Sequence, residues 1–178
     1  MRDFSNGVFA TWAPTYRDLG YWPRPIAAGS KACRIKNWQR PDDLIDPAER
    51  ELWLESFGNA GIGLLLGSPF PDGTCLAGLD IDHDDFVRVT RSLLRNPPCG
   101  RIGARGILFP VRIKGSPAYL ELKIKAPRTS ALKVGELLGE TRLAVLPPTI
   151  HPTTQAPYKW IGKALHEIPF TDLPLIEV

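Results

Sequence analysis

With 178 residues, 43% of them hydrophobic and 23% charged, the chain has the make-up of a single soluble globular domain, which excludes disordered and membrane-embedded classes. A formal charge of +3 permits contact with phosphate without demanding it. Cys33, Cys75 and Cys99 form no C-x-x-C pair, the segment from Met1 to Trp12 has no signal-peptide core, and no run of about eighteen apolar residues occurs; a reducing, cytoplasmic setting is expected, without structural zinc, disulfides or a membrane span.

Val8, Phe9, Trp12, Tyr16 and Leu19 recur at helical spacing up to Gly20, with Pro14 expected to kink or shorten the helix. Tyr21 to Ile26 predicts a short strand, followed by a turn at Gly29 and an exposed basic loop from Lys31 to Lys36 that ends at Trp38. Asp46, Pro47 and Glu49 signal the start of a second helix that Gly58 can close, with Leu52, Trp53 and Phe57 on its buried face. Ile62–Leu66 and Cys75–Asp82 predict two apolar strands joined in hairpin fashion by the Pro69–Gly73 turn. Phe86, Val89, Leu93 and Leu94 give a third, amphipathic helix with Arg88, Arg91 and Arg95 towards solvent, stopped at Asn96 and Pro97. Ile107–Ile113 and Tyr119–Lys125 predict a half-exposed hairpin around a Gly-Ser-Pro turn, Val134–Leu138 and Leu143–Leu146 a second pair, and Tyr158–Ile161 a last strand. Mixed helices and strands followed by strands predict an α+β fold.

Asp80 and Asp82 end an apolar strand and, one residue apart, project from one face while Ile81 faces the core. Two carboxylates on one face repel unless a cation lies between them, so the pair points to a divalent metal, most simply Mg²⁺ or Mn²⁺. Asp84 and Asp85 read instead as caps of the third helix. Pro147, Pro148 and Pro152 hold Thr149 and His151 on a rigid extended segment, where His151 can donate to phosphate, act as a base or bind metal. The loop Arg101–Gly106 offers Arg101, Arg105 and backbone N–H groups to phosphate.

In this order the motifs resemble the bifunctional primase/polymerase N-terminal domain family of the archaeo-eukaryotic primase superfamily. Leu19–Pro23 and Gly29–Gln39 look like that family's start, Gly78–Asp82 like its D-x-D strand, and Pro147–Pro152 with Tyr158–Trp160 like its P-P-S-x-H-P motif, with threonine at position 149 where serine is usual. The resemblance implies an α/β N-terminal part packed on an RNA-recognition-motif-like antiparallel sheet, one catalytic domain over residues 1–178 excised from a longer replication protein, and DNA-templated nucleotidyl transfer. It implies two divalent metals on Asp80 and Asp82, with Asp172 as third ligand ahead of Glu177 or Glu167. It also implies a nucleotide site of Thr149, His151, Arg105 and Arg101 that takes an NTP or dNTP. Lys31, Lys123 and Lys125 are then candidates for phosphates of a single-stranded DNA template, and a helicase domain in the full-length protein is a candidate partner. A non-catalytic nucleotide- or nucleic-acid-binding module and a metal-dependent nuclease are the alternative readings.

Overall fold

The computed structural model describes residues 7–115, 119–125 and 130–177; most of the expected Gly-Ser-Pro turn and the first six residues of the N-terminal segment lie outside them. In chain order the elements are α1 Val8–Asp18, β1 Trp22–Ile26, α2 Pro47–Phe57, β2 Gly61–Leu65, β3 Thr74–Ile81, α3 Asp84–Leu93, β4 Cys99–Ile102, β5 Ile107–Lys114, β6 Tyr119–Ile124, β7 Leu132–Leu138, β8 Leu143–Leu146, β9 Lys159–Gly162 and β10 Leu175–Ile176. The fold is α+β, as expected from the sequence.

A small antiparallel sheet has the order β1-β2-β8, and a large one the order β6-β7-β3-β5-β4-β9, with β10 running parallel on β5. Along β3 the side chains alternate between two cores. Leu76 packs inwards with Leu108 and Leu138 against α1, β2 and β8, while Ala77, Leu79 and Ile81 pack outwards with Phe109 and Val111, under Phe86 and Val87 of α3. The small sheet and α1 therefore cover one face of the large sheet and α3 covers the other.

Local signals hold where packing agrees with them. Helix α1 runs through Pro14 to Asp18 because Phe9, Ala13 and Tyr16 are all buried, and Gly20, at φ 83°, closes it. At α2 the Asp46 carboxylate accepts from Ala48 N–H at 2.8 Å, but Glu49 turns to Arg40 instead of completing a capping box. Of the expected buried face only Trp53 is buried; Leu52 and Phe57 are exposed, since α2 meets the rest of the fold along one edge.

The expected strand pairings give way to others. Strands β2 and β3 do not form a hairpin, because the Pro69–Gly73 turn carries the chain from the small sheet to the large one. Strand β6 pairs with β7 and not with β5, and β8 pairs with β2 and not with β7. Strand β4, read as loop from sequence, supplies Cys99 to the inner core.

Candidate active site

The centre of the site follows from the register of β3. Asp80 lies directly opposite Glu136 of β7 on one side and Leu108 of β5 on the other. Arg101 of β4 is in turn opposite Leu108, and Glu121 of β6 opposite Glu136. Directly opposed residues share a face, so Glu121, Glu136, Asp80, Leu108 and Arg101 form a row across the inner face. Leu108 is buried, and Arg101 reaches over it until Nη2 is 4.0 Å from Asp80 Oδ2. Asp82 follows β3 directly, held by its N–H donating to Val134 O at 3.0 Å, and continues the alternation that sets Asp80 on this face. A cleft of about 500 Å³ opens above the row between the two sheets, lined by Asp80, Asp82, Glu136, Arg101, Lys31 and Tyr158 among others. A mostly apolar hollow of about 600 Å³ beside Thr149 and Ile150 carries no charged side chain and so lacks the chemistry of the cleft.

Charge in the cleft is divided. Burial pushes the Asp80 carboxyl above the usual carboxylate range, and Asp82 and Glu136 push the same way, against the pull of Arg101 and Lys31. Burial lowers the Arg101 guanidinium, which Asp80 and Tyr158 draw back up. Its Cζ lies 4.8 Å from the centroid of the Tyr158 ring, and its buried Nε has no hydrogen-bond partner among the described residues.

His151 packs behind the cleft, against the Tyr158 ring. It is 4% exposed, and its Nδ1 accepts from the N–H groups of Thr153 at 3.2 Å and Thr154 at 3.3 Å, which places the ring proton on Nε2. Burial lowers its basicity, and Lys31 and Arg101 lower it further. Backbone bonds from His151 N to Ala156 O at 2.8 Å and from Tyr158 N to Thr149 O at 2.9 Å fix the segment. The loop after β4 fits closely against it: a Cβ at Gly103 would meet Tyr158 Cε1 at 2.6 Å and His151 Cδ2 at 3.1 Å. Asp84 does not cap α3 with its side chain. It accepts from Gly106 N–H at 2.8 Å and so ties this loop to the acidic strand.

The structure thus brings Asp80, Asp82, Arg101 and Lys31 together around one cleft, places His151 behind its Tyr158, and leaves other expected residues elsewhere. The Thr149 hydroxyl is spent inside the protein, accepting from Ile62 N–H at 2.6 Å and donating to Ile62 O at 3.0 Å. Arg105 is exposed on the loop and does not line the cleft. Lys123 and Lys125 are exposed on or beside the edge strand β6, with Lys123 paired to Glu121.

Asp172 is not brought to the acidic pair. It closes a short 3-10 turn beside the chain that Arg112 grips through Thr171 O and Leu173 O, and Arg112 lies opposite Leu76, four residues before Asp80 on β3. Glu177 bonds Lys114 at that same far end, and Glu167 caps its own turn by accepting from Ala164 N–H. The acid that does stand beside Asp80 is Glu136, which sequence reading passed over. Its Oε2 accepts from Lys133 Nζ at 2.7 Å and from Tyr119 Oη at 2.8 Å. The one sequence signal was a charged residue within the apolar run Val134–Leu138; without the β3–β7 register it has no address.

Among the described residues no group of three or more His, Cys, Asp or Glu side chains is gathered for a metal. Two carboxylates on one face, one with its acidity weakened first by burial and then by neighbouring negative charge, nevertheless form an oxygen donor set suited to a hard divalent cation that keeps water or phosphate as further ligands. No helix among the described residues is long and apolar enough to cross a membrane.

Residues 13–175 match the family model described as bifunctional DNA primase/polymerase, N-terminal. No curated protein matches the chain.

Proposed function

The chain belongs to the bifunctional DNA primase/polymerase N-terminal family, and on that premise we propose that it acts as one catalytic unit that synthesises or extends primers by DNA-templated nucleotidyl transfer, with the cleft above β3 as its active site. Family membership carries primase/polymerase-type chemistry, DNA and nucleotides as substrates, and a general dependence on divalent metal. What supports the residue assignment is the charge gathered at one cleft, with Asp80 and Asp82 in its lining beside Arg101 and Lys31, and His151 packed behind its Tyr158.

Asp80 and Asp82 would hold Mg²⁺ or Mn²⁺. Such ions, when bound as a pair, activate an attacking 3′-hydroxyl and steady the departing pyrophosphate. The protein's own share is to bind and orient the triphosphate. Arg101 offers a buried guanidinium whose Nε has no hydrogen-bond partner among the described residues, and phosphate oxygens complete a guanidinium fork well. His151 donates through Nε2–H and can do so as a neutral ring. Lys31 adds an exposed charge at the mouth. Thr149 contributes by holding the His151 segment to β2, and not by touching substrate. Arg105, Lys123 and Lys125, all exposed, are assigned to the phosphates of nucleic acid outside the cleft.

The deciding experiment is extension of a labelled primer on a single-stranded template with Mg²⁺ or Mn²⁺ and each nucleotide set, comparing wild type with Asp80→Ala/Asp82→Ala. Metal-dependent lengthening that disappears in the variant is expected. Shortening of the label would assign a nuclease, and nucleotide binding without lengthening would leave a non-catalytic binding domain.

A further inference from the structure

Lys31, Ala32, Trp38 and Gln39 enter the lining of the cleft from the irregular segment between β1 and α2, whose C-terminal part the fold holds in place. Arg24 does most of this. It is wholly buried, its Nε donates to Trp38 O at 2.6 Å and its Nη2 to Arg40 O at 2.5 Å, while Nη1 donates to Pro23 O at 2.9 Å and to Asp42 Oδ1 at 2.5 Å. Asp42 is buried too and also accepts from Arg17 Nε at 3.2 Å. From the other side, Gln39 Nε2 donates to Thr141 O at 3.0 Å, tying the segment to the turn between β7 and β8. A buried ion pair is a costly way to gain stability, and its better-attested use is to specify one conformation. Here the conformation specified is the backbone from Trp38 to Asp42.

Trp38 itself lines the cleft and is only half-buried. The Tyr158 ring, lining the same cleft, is covered by Arg101 and by His151, whose ring centroid is 5.1 Å away. Among the described residues no aromatic ring or cation covers the Trp38 indole in that way. A large flat ring therefore stands at the edge of a charged cleft on a backbone held at its own carbonyl, without a stacking partner among the described residues. Lys31 and Arg142 lie in the same cleft, so a ligand stacked there meets positive charge beside it.

We propose that Trp38 is the platform on which the base of the bound nucleoside triphosphate stacks, with Arg24 as the positioning residue that holds it in place; this rests on the reading of the cleft as the nucleotide site. Stacking on an aromatic side chain is tolerant of base identity, so the platform adds affinity for any nucleotide without choosing among them. Its loss would cost about 5- to 100-fold in affinity.

The test separates base from phosphate. Dissociation constants for dATP, ATP and inorganic tripolyphosphate, each with Mg²⁺, are measured on the full chain for wild type, Trp38→Leu and Trp38→Phe. Trp38→Leu should weaken both nucleotides and leave tripolyphosphate unchanged, and Trp38→Phe should recover most of the loss. Arg24→Lys, which keeps the charge but not the fork, should lower the nucleotide-to-tripolyphosphate ratio in the same direction, and Gln39→Ala provides a milder version should that variant not fold. Equal weakening of all three ligands, or no weakening, would overturn the proposal, as would a loss seen only for single-stranded DNA, which would give Trp38 to the template. A wild type that binds neither nucleotide nor tripolyphosphate would sink the nucleotide-site reading itself, and this one with it.

Discussion

Burial holds the His151 imidazole below its ordinary value near 6.5, and Lys31 and Arg101 push it the same way. The folded protein therefore takes up this proton less readily than the unfolded chain. Stability owed to the neutral ring is complete above the ordinary value and is lost as the pH falls below it. His151→Gln should remove that component, so the urea midpoint should drop less between pH 7.5 and pH 5 in the variant than in wild type. Identical pH profiles would place the acid sensitivity elsewhere. Asp80 has the opposite sign: its carboxyl is raised, so its ionised form near neutral pH weakens the metal-free fold. Asp80→Asn should raise Tm without added metal while lowering primer extension at least about a hundredfold, the exchange of stability for activity expected of a residue kept for its chemistry. A variant that lost both would mark Asp80 as structural.

At the scale of elements, two contacts decide how the site is held. The Thr149 hydroxyl closes both backbone groups of Ile62, so Thr149→Val should cost about 1–3 kcal/mol and Thr149→Ser far less, measured by chemical unfolding. Nucleotide affinity at temperatures where both variants are folded should be nearly unchanged; a selective loss of affinity in the valine variant would return Thr149 to the nucleotide. Arg24→Met leaves the buried Asp42 carboxylate with Arg17 alone and should cost about 3–5 kcal/mol. Periodicity made α1, β1 and β3 legible, because it reports which side of an element is apolar. It reports nothing about which strand lies alongside. The Pro69–Gly73 turn has the chemistry of a hairpin turn and yet moves the chain between sheets, since Leu64 and Leu76 face the same core from opposite layers. Leu52 and Phe57 satisfied a helical repeat while the packing of α2 left them exposed.

Across the whole molecule, the net charge is small, and what matters is where the cations sit. Lys123 and Lys125 are exposed on or beside β6, so single-stranded DNA affinity should fall with rising salt, and each of Lys123→Ala and Lys125→Ala should reduce the slope of log affinity against log salt by about 1. An unchanged slope would remove that residue from the template path. Spacing along a few consecutive residues was enough to find the Asp80/Asp82 pair on one face of an apolar strand and a histidine held by prolines, and the order of elements and motifs along the chain was enough for the α+β class and the family. Packing of distant segments was needed to show that Glu136 stands beside Asp80, that Asp172 sits in a turn gripped by Arg112 of β5, that Thr149 turns inwards, and that Trp38 borders the cleft. Those outcomes depend on strand register and on the packing of one sheet over another, which join residues far apart in the chain, such as Trp38 and Tyr158, and leave no mark on any local stretch of it.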